Sequence, residues 1–121
     1  MKVDEPTILI RLSRTYRDEM SKQELYEATR GTWRVGERRE KVEYALAVYD
    51  GIVQEVYWVR NWAPAGTTPY MTRRSEDLQT DGRWEFQGDI AEDAIRSIYR
   101  GQSVAEYFSA HAQNPITYAN C

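Results

Sequence analysis

The stretch Tyr44–Trp62 reads YALAVYDGIVQEVYWVRNW and fixes the centre of the fold. Its two β-prone runs, Tyr44–Tyr49 and Ile52–Trp62, are separated by Asp50 and Gly51 alone. Asp-Gly between such runs is typical of a type I′ turn, which needs positive φ at both central residues. We therefore predict a β-hairpin over this stretch.

The second strand of this hairpin carries large apolar side chains on both of its faces. Strict alternation assigns one face to Ile52, Val56, Trp58 and Trp62 and the other to Val53, Tyr57 and Val59. A strand that is apolar on both sides belongs in the middle of a sheet or in the wall of a barrel. We expect Trp58 to pack in the core, and Trp62 to lie either in the core or on the rim of a pocket.

A helix is predicted before the hairpin. Ser21 is followed three residues later by Glu24, the capping-box pattern in which each side chain accepts from the other residue's backbone N–H. We expect this helix to run from Lys22 to Arg30. Gly31 stands where the left-handed residue that ends a helix is usually found.

The rest of the chain divides into short elements and one long loop. Ala63–Arg83 is rich in proline and glycine and poor in apolar residues. We predict a loop there, and so long a loop in a small domain is either functional or partly mobile. The other expected elements are strands at Thr7–Leu12, Trp84–Phe86 and Asn114–Tyr118, an extended segment at Thr32–Val35, a charged turn at Gly36–Val42, a helix capped by Asp89 and Glu92 and ended by Gly101, and a short helix capped by Ser103 and Glu106.

This order of elements has no βαβ alternation and no internal repeat, which argues against a doubly wound parallel sheet. The predicted class is α+β, with residues 1–121 forming a single domain. We expect a curved, mixed, mostly antiparallel sheet or small open barrel of about five or six strands, with two to three flanking helices.

Composition narrows the classes of function. Hydrophobic residues make up 41% of the 121 residues, enough for one core, and no apolar run reaches the length of a membrane span. The start of the chain lacks the layout of a signal peptide, and the single cysteine, Cys121, favours a reducing cytoplasm. One histidine, His111, with one cysteine excludes a structural zinc site, and no glycine-rich phosphate loop or Gly-x-Ser-x-Gly elbow is present. We expect no metal and no cofactor.

Arginine, hydroxyl and aromatic residues gather at the end of the first predicted helix, in the segment Thr29–Arg34, which reads TRGTWR. Aromatic faces beside guanidinium groups are what proteins use to stack a base and to hold its phosphates. The alternative is structural: Trp33 fills the core and Arg30 interacts with the helix C-terminus. The candidate ligand-binding residues are Thr29, Arg30, Trp33, Arg34, Arg38, Trp62 and Asn114. For Asn114, which precedes a proline, capping of the local turn is the competing interpretation.

Three patterns carry a resemblance. The TRG-x-W segment at Thr29–Trp33, the VQEVY-x-V-x-x-W strand at Val53–Trp62 and the QNPI-x-Y end at Gln113–Tyr118 resemble an uncharacterised family of small bacterial proteins, which implies no activity. The order of elements and the placement of the aromatics are also similar to PUA-like domains, which include the EVE and ASCH groups. That resemblance implies a small curved barrel that binds RNA or a modified base.

Three hypotheses remain open at this point. The first is a nucleic-acid or nucleotide binding module, with Trp33 and Trp62 stacking on a base and Arg30, Arg34 and Arg38 contacting phosphates. Its partner would be RNA or DNA held in a local pocket, because a net charge of −3 disfavours an extended basic surface. The second is a protein-interaction or structural domain, with a homodimer as one form. The third is a small enzyme using Glu55 or Glu85 inside a barrel.

Overall fold

The predicted hairpin lies at the centre of the sheet. The computed structural model describes residues 2–12, 15–109 and 114–121. Strands β3 (Tyr44–Tyr49) and β4 (Ile52–Pro64) pair in antiparallel register, and the turn between them has positive φ at Asp50 (51°) and Gly51 (77°). The type of turn that Asp-Gly favours is therefore confirmed.

Six strands form one curled, mixed sheet with the shape of a half barrel, in agreement with the predicted class. The other strands are β1 (Thr7–Arg11), β2 (Gly31–Trp33), β5 (Trp84–Ile90) and β6 (Ile116–Ala119), and the order across the sheet is β2-β5-β4-β3-β1-β6. The β1–β3 pair is parallel and the other pairs are antiparallel. Two α-helices accompany the sheet, α1 (Lys22–Arg30) and α2 (Asp93–Tyr99), with three 3₁₀ turns at Glu37–Lys41, Ser75–Asp77 and Ala105–Tyr107.

Two irregularities in β4 change which side chains share a face. The register shifts opposite Ala47 and Val48, and again between Val59 and Asn61. Each added residue reverses the alternation beyond it. Trp62 therefore packs with Tyr57 and Val59, whereas Trp58 is 40% exposed. The predictions that both tryptophans share a face and that Trp58 lies in the core are wrong.

Helix α1 begins at Lys22 and ends at Arg30 as predicted, but Gly31, which follows it, does not have the predicted conformation. The Glu24 N–H donates to Ser21 Oγ and the Ser21 N–H to Glu24 Oε1, each at 3.1 Å, which confirms the capping box. Gly31 is extended (φ −175°) rather than left-handed, because the chain passes directly from α1 into β2. A Cβ atom at Gly31 would lie 2.3 Å from Tyr70 Oη, so close packing against the loop is what favours glycine here.

Two predicted caps are absent. β5 extends to Ile90, so Asp89 belongs to a strand and its carboxylate pairs with Arg60, while α2 starts after Glu92 without a side-chain cap. Ser103 precedes only a 3₁₀ turn. Gly101 follows α2 with φ of 85°, as expected for the residue that ends a helix.

Both faces of the sheet carry a buried cluster. The inner cluster contains Ile8, Ile10, Leu12, Val42, Ala45, Ala47, Tyr57, Val59, Trp62, Phe86 and Ile116. Side chains from both edges, Trp33 of β2 and Tyr118 of β6, pack against it, so this is the face toward which the sheet curls. The cluster on the other face includes Tyr99 of α2. No helix in the described ranges is long and apolar enough to cross a membrane.

The Glu37–Lys41 turn spans the open side of the curl. The Arg39 guanidinium lies 3.5 Å from the ring centre of Trp84 in β5, and the Arg38 guanidinium lies 4.4 Å from that of Tyr118 in β6. Because these strands lie toward opposite edges of the sheet, the turn links the two sides of the half barrel.

Candidate ligand-binding site

Two of the predicted site residues, Thr29 and Arg30, are buried and bonded to other parts of the chain. Arg30 is 2% exposed, and its Nη1 lies 3.2 Å from Glu85 Oε2. Its Nη2 donates to the Pro69 carbonyl at 3.0 Å, and the guanidinium lies 3.8 Å from the Tyr70 ring centre. Thr29 is fully buried and its hydroxyl donates to the Leu25 carbonyl. Both residues therefore have protein partners in this structure.

Glu85 is the acceptor for one end of the loop between β4 and β5. Its carboxylate is fully buried and accepts from the N–H groups of Gly66 and Thr68, at 2.8 and 2.9 Å, and from the Tyr70 hydroxyl. These three hydrogen bonds and the ion pair with Arg30 offset the cost of burying the carboxylate. The carboxylate is thus occupied in holding the loop.

Glu27 of α1 accepts hydrogen bonds from the loop further along the chain. It is fully buried and accepts from the N–H groups of Met71 and Thr72, from the Thr72 hydroxyl and from Gln23. Desolvation alone would raise the pKa of Glu27, but these hydrogen bonds outweigh it and lower the pKa to about 2. Three buried charged residues, Glu27, Arg30 and Glu85, therefore hold the 66–72 stretch of the loop.

The other carboxylate of the enzyme hypothesis, Glu55, is also paired. Arg96 binds it through two contacts, Nε to Oε1 at 2.7 Å and Nη2 to Oε2 at 3.1 Å. The N–H of Val56 donates to the same carboxylate. Neither Glu55 nor Glu85 is a buried carboxylate without partners.

Trp33 and Asn114 make the contacts that their structural interpretations predict. Trp33 is half-buried against the inner cluster, and its indole N–H donates to the Thr29 carbonyl at 2.7 Å. Asn114 is exposed, and its Oδ1 accepts from the Ile116 N–H at 3.0 Å, which caps the turn that leads into β6. The Asn114 backbone carbonyl also accepts from Arg11 Nη2 at 3.5 Å.

The Glu37–Lys41 turn brings an exposed arginine and aromatic rings together. Arg38 donates twice to the Cys121 carbonyl, at 2.6 and 3.2 Å, and stacks on Tyr118. Arg39 stacks on Trp84 and pairs with Glu40. We call Arg38, Arg39, Trp84 and Tyr118 the arginine-aromatic surface. Of these four residues only Arg38 is among the predicted candidates; for the others the signal is their spatial proximity, which the sequence does not contain.

One buried polar atom of this surface, Tyr118 Oη, and one of the adjoining inner cluster, Trp62 Nε1, have unused hydrogen-bonding capacity. Trp62 is 9% exposed, and its Nε1 has no hydrogen-bond partner in the described part of the chain; the same holds for Tyr118 Oη. Burial raises the pKa of Tyr118, and the nearby Arg38 opposes that rise. A buried N–H without an acceptor costs free energy, so such a group in a native structure needs an explanation.

A cleft of about 370 Å³ lies between the residue that follows β2 and the end of the loop. It is lined by Arg34, Leu78, Gln79, Thr80, Asp81 and Arg83. Arg34 is exposed and, within residues 2–12, 15–109 and 114–121, has no hydrogen bond or ion pair. Arg83 is oriented by donation to the Thr32 carbonyl and to Gln79.

Comparison with protein-family models, curated proteins and solved structures finds no match. The site must therefore be interpreted from its own geometry. In the described ranges no group of three or more His, Cys, Asp or Glu side chains is placed to hold a metal ion. His111 lies outside the described residues.

Proposed function

We propose that this protein is a nucleic-acid or nucleotide binding module that takes its ligand at the arginine-aromatic surface and the adjoining inner cluster. The observation that carries the proposal is the Trp62 indole N–H. It is buried, it has no acceptor among the residues that the structure describes, and it belongs to the cluster on which Trp84 and Tyr118 pack. A base edge presents carbonyl and ring-nitrogen acceptors of the kind that this donor needs.

The neighbouring stacks supply the second element of base recognition. Guanidinium groups and aromatic rings already lie face to face at Arg38–Tyr118 and Arg39–Trp84. A planar base can add to such a stack or replace one member of it, with stacking worth about 1–3 kcal/mol per base. Arg38, which is exposed, is then placed to contact a phosphate.

The partner class follows from the charge. With a net charge of −3, the chain offers a local site rather than a basic surface that follows a long duplex. We propose RNA, DNA or a free nucleotide as the ligand and the cytoplasm as the compartment. In this proposal Thr29 and Arg30 act indirectly, since their contacts hold β2 and the loop in place, and Trp33 borders the site.

The test uses tryptophan fluorescence of the purified protein, titrated with short single- and double-stranded oligonucleotides and with free nucleotides. Saturable quenching that weakens only slightly with salt supports the proposal, because few phosphates would be contacted. Quenching by none of these ligands would refute it.

Trp62→Phe is the decisive variant. It removes the indole N–H but no hydrogen bond to a described residue, so we expect the variant to remain folded with a loss of about 1–2 kcal/mol from the smaller ring. Its affinity for the ligand should fall about tenfold. Arg60→Gln is the matched control, since Arg60 is exposed and pairs with Asp89 on β5. If Trp62→Phe binds as tightly as the control, the indole N–H is not a ligand contact.

A second candidate function rests on the exposed Trp58. This residue lies on the central strand β4, and Ile90 of β5 is likewise 40% exposed. Exposed aromatic residues are enriched in protein interfaces. The alternative proposal is a protein-interaction domain, with a homodimer as its simplest form. Sedimentation equilibrium of wild type and Trp58→Ser tests the homodimer. If wild type is a monomer at all concentrations, the homodimer is refuted.

A further inference from the structure

The cleft beside Arg34 has the chemistry of an anion site. Two guanidinium groups, a hydroxyl and a side-chain amide line one concavity, contributed by Arg34, Arg83, Thr80 and Gln79. Its volume of about 370 Å³ is at the small end of ligand pockets, which suits a single compact group. Planar guanidinium donors match the oxygen geometry of phosphate.

The two arginines differ in how they are held. Arg83 is fixed by its bonds to the Thr32 carbonyl, at 3.3 Å, and to Gln79, at 3.2 Å. Arg34 has no such partner among the described residues, and its Nη1 lies 4.0 Å from the position that a Cβ of Gly82 would occupy. One cation is therefore pre-oriented and the other has all of its donors available.

We propose that this cleft is a phosphate subsite of the nucleotide site, an inference that rests on the proposed function. Arg34 supplies the donors that the ligand engages, and Arg83 forms the fixed wall. Trp33, the residue before Arg34, is the register partner of Trp84, so Arg34 directly follows a residue that pairs with the arginine-aromatic surface. Asp81 lines the same cleft, and its negative charge repels an anion. Removing this charge should therefore strengthen phosphate binding, whereas removing the charge of Arg34 should weaken it.

The probes are adenosine, adenosine 5′-monophosphate and the dinucleotide ApA, each titrated by isothermal calorimetry at low salt. For wild type we expect the monophosphate to bind about tenfold more tightly than adenosine. ApA distinguishes the source of the phosphate: a gain equal to that of the monophosphate indicates that internal backbone phosphates are accepted, and no gain indicates a terminal phosphate. Both outcomes support the subsite.

Three variants separate charge recognition from a structural effect. Arg34→Gln should abolish the advantage of the monophosphate and leave adenosine affinity unchanged, because the Arg34 side chain makes no hydrogen bond or ion pair within the described part of the chain. Asp81→Asn should tighten monophosphate binding about twofold, by removing a like charge. Arg60→Gln should change neither affinity.

Two results would overturn the inference in different ways. If adenosine and its monophosphate bind wild type equally, the cleft is not a phosphate subsite, while the proposed function stands. If Arg34→Gln weakens both ligands equally, its effect is not directed at the phosphate and the subsite is again wrong. Binding of neither ligand removes the proposed function together with the subsite.

Discussion

Replacing Glu27 by glutamine tests how the long loop is held to the first helix. In wild type the carboxylate offers only acceptors, and two backbone N–H groups and a hydroxyl of the loop donate to it. Glutamine keeps one oxygen and turns an NH₂ group toward a donor, so at least one buried donor loses its acceptor. At about 1–3 kcal/mol for each unsatisfied group, we expect a loss of about 2–4 kcal/mol at pH 7.

The pH dependence of folding stability gives a second value for the free energy that the Glu27 contacts contribute. The pKa of Glu27 is about 2, against an ordinary value of 4.5, so the folded state favours the ionised form. A lowered pKa contributes stability that is complete above pH 4.5 and is lost as the pH falls to about 2. The difference corresponds to up to roughly 3 kcal/mol. The stability difference between wild type and Glu27→Gln should therefore disappear as the pH falls from 4.5 to about 2.

Urea unfolding at several pH values from 7 to 2 measures both quantities, with Glu19→Gln as control because Glu19 is exposed and only loosely paired with Arg17. Limited trypsin digestion adds a local readout, since the released loop should be cleaved faster after Arg73 or Arg74. A Glu27→Gln variant as stable as the control at pH 7 would refute the reasoning. So would a stability difference that stays constant down to pH 2, because it would not come from the ionised carboxylate.

Two further predictions concern buried charge and close backbone packing. Glu85→Gln should lower the free energy of unfolding in urea by about 3–5 kcal/mol, because it leaves Arg30 charged and buried without its counter-ion. Adding Arg30→Met should recover part of that loss, and no recovery would contradict the pairing. Gly88→Ala should cost more than about 3 kcal/mol or prevent folding, because its Cβ would lie 2.1 Å from the Trp58 carbonyl oxygen. The control Gly36→Ala, which meets no atom within 4 Å, should be neutral or stabilising by thermal unfolding, and equal losses in both variants would contradict the steric argument.

The parts of the fold that follow from short-range rules were predictable. The turn at Asp50-Gly51 and the capping box at Ser21 each depend on residues close in sequence, and both are confirmed. The face of Trp62 was not predictable in the same way. It depends on an extra residue in β4 near Arg60, and no residue type in that stretch marks the irregularity.

The candidate site was predictable in its residue types and less so in its geometry. The sequence gives no sign that Arg30 and Glu85 meet, or that Glu27 accepts from Thr72, which is 45 residues away. A charged side chain on a helix is normally exposed, and here the loop supplies the partners that allow burial. Likewise, Arg39 and Trp84 come together only because the sheet curls and the Glu37–Lys41 turn spans its open side.

The place of β1 in the sheet has a consequence for the newly made chain. β1 precedes both of its sheet neighbours, β3 and β6, and the other described strands lie between β1 and β6 in the chain. The β3–β4 hairpin is complete as soon as its own residues emerge from the ribosome, whereas one edge of β1 stays unpaired until β6 has been synthesised. An unpaired strand edge is a template for wrong pairing between chains. The period of greatest exposure to aggregation therefore lies before β6 docks, when Ile8 and Ile10 have no β6 partner.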